Sequence, residues 1–362
     1  MNVRLGDHLD FSNGTTPPAR EPNGRFPVYG SNGAIGFAAR HNASGPLIVL
    51  GRVGSYCGSL RYCDSDVWVT DNAVVCRAKD PAETRYWYYA LQTCRLNEHR
   101  AGSGQPLLTQ RILRDISIPV VATHERRRIA AFLGALDDKI AANDRVIVAA
   151  EGLMLATVES VTEYVPLASL VSRTTTFVNP GEFEDAIAHF SFPAFDEGAW
   201  PESVDARSVK SGKFLLSAPC VLFSKLNPRI PRVWNVVALP PEMALASAEF
   251  VVLMPIGVDT SALWSALRVG EVSETLQQMV AGTSGSRQRI QPRDLLAVRV
   301  RDVRRLSADA ARTITTLGGL CHARRAESAR VSAMRDALLP LLMSGKVRVG
   351  SGLHAADSAG LR

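Results

Sequence analysis

Lysine is scarce in this chain. Six of its 41 basic residues are Lys (positions 79, 139, 210, 213, 225 and 346), which leaves 35 Arg. The planar fork of Arg suits bidentate recognition of guanine edges and phosphates better than an ammonium does, although a coding bias towards Arg gives the same excess. Cysteine is sparse too. Cys57, Cys63, Cys76, Cys94, Cys220 and Cys321 form no CxxC pair, and no His stands at zinc-finger spacing. That pattern argues against a metal site and a disulfide framework, and leaves buried free thiols as the expectation. Long hydrophobic runs are missing as well. Runs such as Val146 to Ala150 and Val251 to Ile256 fall far short of the roughly 20 residues of a membrane-spanning helix. Met1 to Asp10 mixes charges with apolar residues and has no signal-peptide pattern. We therefore expect a cytoplasmic protein with no membrane association.

Catalytic signatures are equally wanting. Gly212-Lys213 and Gly345-Lys346 lack both the upstream glycine and the following Ser or Thr of a phosphate-binding loop. Neither Asn179-Pro180-Gly181 nor Asn227-Pro228-Arg229 supplies the Asx-Pro-Pro-aromatic motif of DNA amino-methyltransferases, and Gly51-Arg52-Val53-Gly54 is too short for a dinucleotide fingerprint. The seven histidines are scattered. No acidic cluster of recognisable spacing and no helix-turn-helix stands out. The expectation is a chain that is not itself an enzyme.

What is present is bulk and repetition. With 362 residues, 46% hydrophobic and 21% charged, the chain can form two or three domains with their own cores. Its net charge of +6 leans towards polyanionic partners. Two copies of one plan follow each other, each a globular segment and then a long helix. Val3-Arg4-Leu5 opens the first and Val165-Pro166-Leu167 the second, 162 residues on. Near the end of the first segment, Gly102-Ser103-Gly104-Gln105-Pro106 leads to Arg114-Asp115-Ile116-Ser117-Ile118-Pro119. In the second, Gly282 to Arg289 leads to Arg293-Asp294-Leu295-Leu296-Ala297-Val298, which matches Asp294 to Asp115 at an offset of 179. Leu133-Gly134-Ala135-Leu136 and Leu317-Gly318-Gly319-Leu320 align at 184.

From Glu125 to about Glu159 the apolar residues Ile129, Leu133, Leu136, Ile140, Ile147, Ala150 and Met154 recur at steps of four and three, a heptad seam interrupted by Asn143. A second helix, about Ala308 to Leu342, places Leu317, Leu320, Val331, Met334 and Leu338 at the matching positions, with Glu327 as the counterpart of Asn143; Pro340 is expected to bend or end it. A single polar seam residue commonly fixes register and partner; the seam facing solvent there is the alternative. Because a globular segment returns the chain, the two helices must pair antiparallel. About 35 residues at 1.5 Å each make a rod of about 50 Å.

Within the globular segments, strand-like runs alternate with glycine-rich turns: Phe26 to Tyr29, Leu47 to Leu50 and Val67 to Thr70 in the first, Cys220 to Lys225 and Val233 to Val237 in the second. One helix is expected at about Thr84 to Asn97. The fold class is therefore mixed α/β: two strand-rich domains separated by two long helices in an antiparallel coiled coil, with an internal pseudo-two-fold repeat. The boundaries are 1–122, 123–163 (helix), 164–305 and 306–349 (helix), followed by a Gly-, Ala- and Ser-rich tail, 350–362, expected to be disordered.

The order Gly102 to Pro106, Asp115 to Pro119, then Glu125 opening a helix with Ile129, Phe132, Leu133, Leu136, Asp137, Lys139, Ile140 and Asn143 resembles the junction of a target-recognition domain and a central helix in the specificity (S) subunit of type I restriction-modification systems. The turns Gly51 to Gly54 and Ser224 to Arg229 are similar to recurrent turns of that family, and the resemblance extends from Val3 to about Val349. Glu125-Arg126 departs from the family's usual Glu-Gln, and little of the pattern survives near Asp309.

The resemblance implies that each globular segment reads one half of a split, asymmetric site on double-stranded DNA while the helices set the spacer. Methyltransferase subunits, two per chain, would dock on the helix seams (Ile129, Leu133, Leu136, Ile140, Asn143, Ile147, Leu317, Leu320, Val331, Leu338) and bind S-adenosylmethionine. This chain itself would bind no cofactor or metal, and a restriction subunit carrying motor and nuclease can join. Loops on a rigid scaffold are where contacts to bases belong. On that ground Gln105 is expected to meet adenine, and Arg52, Arg111, Arg229, Arg287 and Arg289 guanine or phosphate. Ser103, Thr109, Lys225, Asn227 and Gln288 are secondary candidates. The run Arg126-Arg127-Arg128 is expected to be solvated or to face a subunit. A coiled-coil scaffold without DNA specificity and a standalone restriction endonuclease are the alternatives; binding to duplex DNA with and without a methyltransferase separates them.

Overall fold

The computed structural model describes residues 2–101, 107–227, 232–280 and 289–350. Ser103, Gln105, Arg229, Arg287, Gln288 and the tail from residue 351 lie outside the described residues. The chain divides into two compact units, Met1–Asp138 with Ser332–Arg362, and Lys139–Val331. Each of the two long helices, Thr123–Glu159 and Ala308–Met343, contributes one part to each unit.

In the first unit an all-antiparallel sheet runs in the order Leu9–Asn13, Ala73–Ala78, Leu47–Gly51, Leu60–Cys63. Leu47–Gly51 is a short, continuous apolar run bounded by turns, the pattern of a strand covered on both faces, and all five residues are buried. A smaller sheet pairs Phe26–Gly30 antiparallel with Gly33–Ala38 and parallel with Trp68–Val69. A further antiparallel pair, Asn2–Arg4 with Ser117–Pro119, sets Val3 opposite Ile118. The second unit repeats this plan. Its main sheet is Val171–Arg173, Phe250–Pro255, Cys220–Ser224, Val233–Val236, again antiparallel and in the same spatial order. Its smaller sheet grows to five strands around the parallel pair Ala186–Phe190 and Met243–Ala246. Tyr164–Pro166 pairs with Arg299–Arg301, setting Val165 opposite Val300.

The strand pairing corrects the register of the repeat. Ile118 corresponds to Val300, an offset of 182 rather than 179, so the buried Leu113 and Ile116 match Leu295 and Val298. The shared Arg-Asp dipeptide misled because neither copy is buried: Arg114 reaches the Phe11 carbonyl and Gln110, whereas Arg293 lies beside Asp294.

The helix expected over residues 84–97 stops at Gln92. Thr93 and Cys94 turn their side chains back to the Ala90 carbonyl, and Arg95 adopts a left-handed conformation (φ 42°) that ends the α-helix. Pro340, in contrast, does not end its helix, which continues to Met343. Its fixed φ suits the helix, and so near the C-terminus its missing N–H removes one bond only. All six cysteines are buried and free, and burial pushes the Cys94 and Cys220 thiols up to about 12.

The long helices run antiparallel in each unit. In the second, Lys139 meets Glu327 at 3.0 Å, Asn143 donates to the Ser328 hydroxyl at 3.2 Å, and Arg325 reaches Glu151 at 2.5 Å. In the first, Arg335 donates to Asp137 at 2.7 Å and Arg348 lies 3.2 Å from Glu125. Ile129, Leu133, Asn143 and Ile147 are buried, whereas Leu136 and Ile140 are half-buried. On the partner helix Leu317, Leu320, Val331 and Leu338 are half-buried and Met334 is exposed. The stripe that faces inward lies one residue further on, through Ile314, Gly318, Cys321, Leu339 and Leu342. Arg325, Ser328 and Arg335 occupy its middle and bond to Glu151, Asn143 and Asp137 of the first helix, so hydropathy alone selects the neighbouring stripe.

Each unit fastens a short helix to a long one at a glycine. In the first, Arg85 of Thr84–Gln92 donates to the Gly134 carbonyl (3.1 Å) and to both Asp138 oxygens (3.1 and 2.6 Å). A Cβ on Gly134 would stand 2.8 Å from that guanidinium. In the second, a Cβ on Gly318 would stand 1.9 Å from the Ser261 hydroxyl of Thr260–Arg268, while neighbouring Gly319 has open space. The run 126–128 departs from expectation at Arg126, while Arg127 is exposed. Arg126 is buried in a 3.0 Å ion pair with Glu83, which accepts from the Trp87 indole as well, and Arg127 lies 3.3 Å from Asp80.

Denaturation experiments should show two effects. Gly318→Ala lowers stability by about 1–3 kcal/mol through the clash with Ser261, while Gly319→Ala, with no neighbour to meet, raises it by about 0.5–1 kcal/mol. Glu83→Gln leaves the Arg126 guanidinium buried without a counter-charge and costs about 3–5 kcal/mol; an unchanged unfolding midpoint would remove the pair from the forces that hold this unit.

Candidate nucleic-acid interface

The central strand of each main sheet ends in the same construction. After Leu47–Gly51 the chain passes into Arg52, whose carbonyl accepts from the Leu108 amide at 3.0 Å, and Val53 bridges to Leu107. After Cys220–Ser224 the chain passes into Lys225, whose carbonyl accepts from the Ile290 amide at 2.8 Å, and Leu226 bridges to Arg289. In both units a basic residue therefore stands at the exit of a fully buried strand. Its backbone pins the chain just after residues 102–106 in one unit and just after residues 281–288 in the other, both outside the described residues. Two segments far apart in sequence meet here in each unit.

The supports differ. Around Arg52, the Ser31 hydroxyl donates to the Val53 carbonyl at 2.6 Å and the Ser59 hydroxyl to the Ser31 carbonyl at 2.6 Å, which ties the 30–33 turn to the 51–54 turn. Arg52 is half-buried, and its Nε is enclosed without a hydrogen-bond partner among the described residues. Around Lys225, the ammonium donates to the Ala248 carbonyl at 2.6 Å and lies 5.4 Å from the Phe214 ring centre. Burial, reinforced by Arg173 and Arg289, holds its pKa below the ordinary lysine value despite nearby Glu249. Arg289 is engaged as well, 2.8 Å from Glu249. Asn227 is exposed and left-handed (φ 53°), a conformation Asn tolerates better than most residues.

Thr109 and Arg111 lie on the far side of the first loop. The Thr109 hydroxyl accepts from the Ile112 amide at 3.2 Å and caps Gln110–Asp115, so its evident task is structural. Arg111 is exposed on that helix. Sequence reading missed the two buttressing serines and Glu249. The signal for the serines was the second small-residue turn, Gly30 to Gly33, whose proximity to Gly51 to Gly54 no spacing rule reveals. Among the described residues no group of three His, Cys, Asp or Glu side chains could hold a metal ion, and no helix is long and apolar enough to cross a membrane.

Residues 1–151 match the family model described as "Type I restriction modification DNA specificity domain". No curated protein matches the chain. Among solved structures, the S subunit of the type I restriction-modification system from M. genitalium superposes with a TM-score of 0.58 at 14% identity, over 95% of this chain and 96% of that one. The HsdS subunit from Thermoanaerobacter tengcongensis aligns over 96% and 97% of the two chains at 15% identity, with a TM-score of 0.30. The M. genitalium likeness carries the fold comparison. Residues 1–151 thus resemble the type I restriction-modification DNA specificity domain, and the chain as a whole has the fold of a type I S subunit.

Proposed function

We propose that this chain is the DNA-recognition subunit of a type I restriction-modification complex, each repeat reading one half of a split, asymmetric site and the helices setting the unread spacer. The observation that carries this reading is the repeated loop clamp, Arg52 with Leu108 and Lys225 with Ile290, set at the end of the central strand of both main sheets. A strand end that presents a basic residue, pinned through its backbone by a distant segment, is what contacts to a phosphate and an adjoining base edge require. Partner methyltransferase subunits bind S-adenosylmethionine and transfer its methyl group to the N6 of an adenine flipped from each half-site. This chain supplies the address and no chemistry, and a restriction subunit completes the system where one is present.

Methylation sequencing of the host genome with the gene intact and deleted tests the reading. The expected result is loss of N6-methyladenine at one split motif on deletion; an unchanged methylome returns the chain to the class of scaffolds. A pH dependence separates the two readers. Because burial lowers the Lys225 pKa, its ammonium loses the proton at a lower pH than an exposed lysine. Duplex affinity then falls at a lower pH than it would if the lysine were exposed. Lys225→Arg, charged throughout, flattens that fall; identical profiles for the two proteins would take Lys225 out of the interface.

A further inference from the structure

A groove of about 670 Å³ opens in the first unit on the opposite flank of the Arg52 turn. One wall is the tight reversal Gly51 to Ser59, closed by Gly51 N–H to the Ser59 carbonyl at 2.9 Å and Gly58 N–H to the Gly51 carbonyl at 2.7 Å. The other wall is Arg95 to Glu98, after the short helix. The walls touch at Gly58, which has a φ of 92° and where a Cβ would stand 3.1 Å from Leu96 and from the Asn97 amide. The groove and the loop clamp therefore share one hydrogen-bonded turn.

The side chains at its mouth are Tyr56, Arg61, Gln92, Arg95, Asn97 and Glu98, and all are exposed. Tyr56 is 56% exposed, the largest value among the exposed large aromatics, and offers a flat face to a partner. Arg61 pairs with no acid among the described residues and spends one N–H on its neighbour's carbonyl. Arg95 keeps a loose contact with Glu98 at 3.5 Å, and its backbone is left-handed (φ 42°). Glu98 is the one carboxylate among the lining residues. Two guanidinium groups, a stacking surface and two amides in an open trough suit an extended polyanion with planar groups. A small enclosed ligand would need walls that close around it.

We propose that this groove is a second DNA-contact surface of the first repeat, taking the phosphodiester strand that flanks the half-site read at Arg52, with Arg61 and Arg95 on phosphates and Tyr56 against a sugar. The proposal rests on the recognition reading above. Contacts of this kind fix position without reading sequence. Their removal weakens binding at every sequence alike and lowers the salt dependence, by about 0.9 in the slope of log K against log salt for each phosphate no longer neutralised.

The test uses the full chain co-purified with its methyltransferase and a duplex carrying the genomic motif, titrated across salt concentrations. Arg61→Ala and Arg95→Asn, the latter chosen because Asn accepts the left-handed backbone, should each weaken binding about tenfold and flatten the slope by about one, with the methylated motif unchanged. Glu98→Gln, which removes the carboxylate, should bind about two- to threefold tighter at low salt, an outcome that damage to the fold does not produce. Unchanged affinity and slope in the three variants, while Arg52→Ala alters or abolishes the motif, overturns the groove and leaves the recognition reading standing. Release of the methyltransferase by the variants assigns the groove to a protein partner and overturns it too. Absence of any methylated motif with the unmodified chain overturns both readings together.

Discussion

The frame of each unit depends on one point of very close approach, where the short helix lies against a glycine of a long helix. In the first unit that point is Gly134, whose carbonyl receives Arg85 while Asp138 takes the rest of the guanidinium and Asp137 takes the Tyr89 hydroxyl at 2.5 Å. In the second it is Gly318 against Ser261, with Asn235 donating to the same hydroxyl at 3.0 Å. The chemistry differs, a charged fork in one and two small polar groups in the other. The steric requirement is the same, a helix surface stripped of its Cβ where a side chain must lie against the backbone. Because the short helix also packs on the main sheet, the strand ends that carry Arg52 and Lys225 inherit the rigidity of that joint.

The middle of the helix pair adds a second constraint. Asn143 is buried and meets Ser328, while Lys139 and Arg324 hold the Glu327 carboxyl below its usual range. These groups find partners only in one antiparallel register. A slip of a heptad in one direction would set Asn143 against Cys321 and strand a polar group away from water, and in the other would set it against Arg335, which already serves Asp137. The interruption in the apolar seam is thus the feature that selects one alignment.

Much of this organisation was legible in the sequence, and the failures have physical causes. The first long helix could be read from its apolar spacing because Ile129, Leu133, Ile147 and Met154 do the packing there. The second could be located but not oriented, since Gly318, Arg325, Ser328 and Arg335 occupy its inward face and hydropathy scores them as outward. Strands such as Leu47–Gly51 and Cys220–Ser224 announce themselves as apolar runs between turns. The site was half legible. Glycine-rich turns marked where loops lie, but the meeting of Arg52 with Leu108, or of Lys225 with Ile290, is a backbone hydrogen bond between distant segments. Backbone groups leave no trace in residue type. Thr109, chosen as a polar loop residue, is a helix cap, a use that Thr serves as readily as contact with a base.

The two repeats agree where architecture demands it and diverge elsewhere. Sheet order, the terminal strand pair, the glycine joint and the loop clamp are common to both. Beyond these, the first unit braces its turn with two serine hydroxyls and leaves Arg52 without a hydrogen bond to its Nε among the described residues. The second braces its corresponding turn with an ion pair to Glu249 and a half-buried lysine, and enlarges its smaller sheet to five strands. Selection for stability alone would preserve the braces as well as the frame, since each contributes to the fold. On the reading proposed above, a shared frame with divergent strand ends is what two copies need when each holds its turns in place and presents a different surface to its own half of the site.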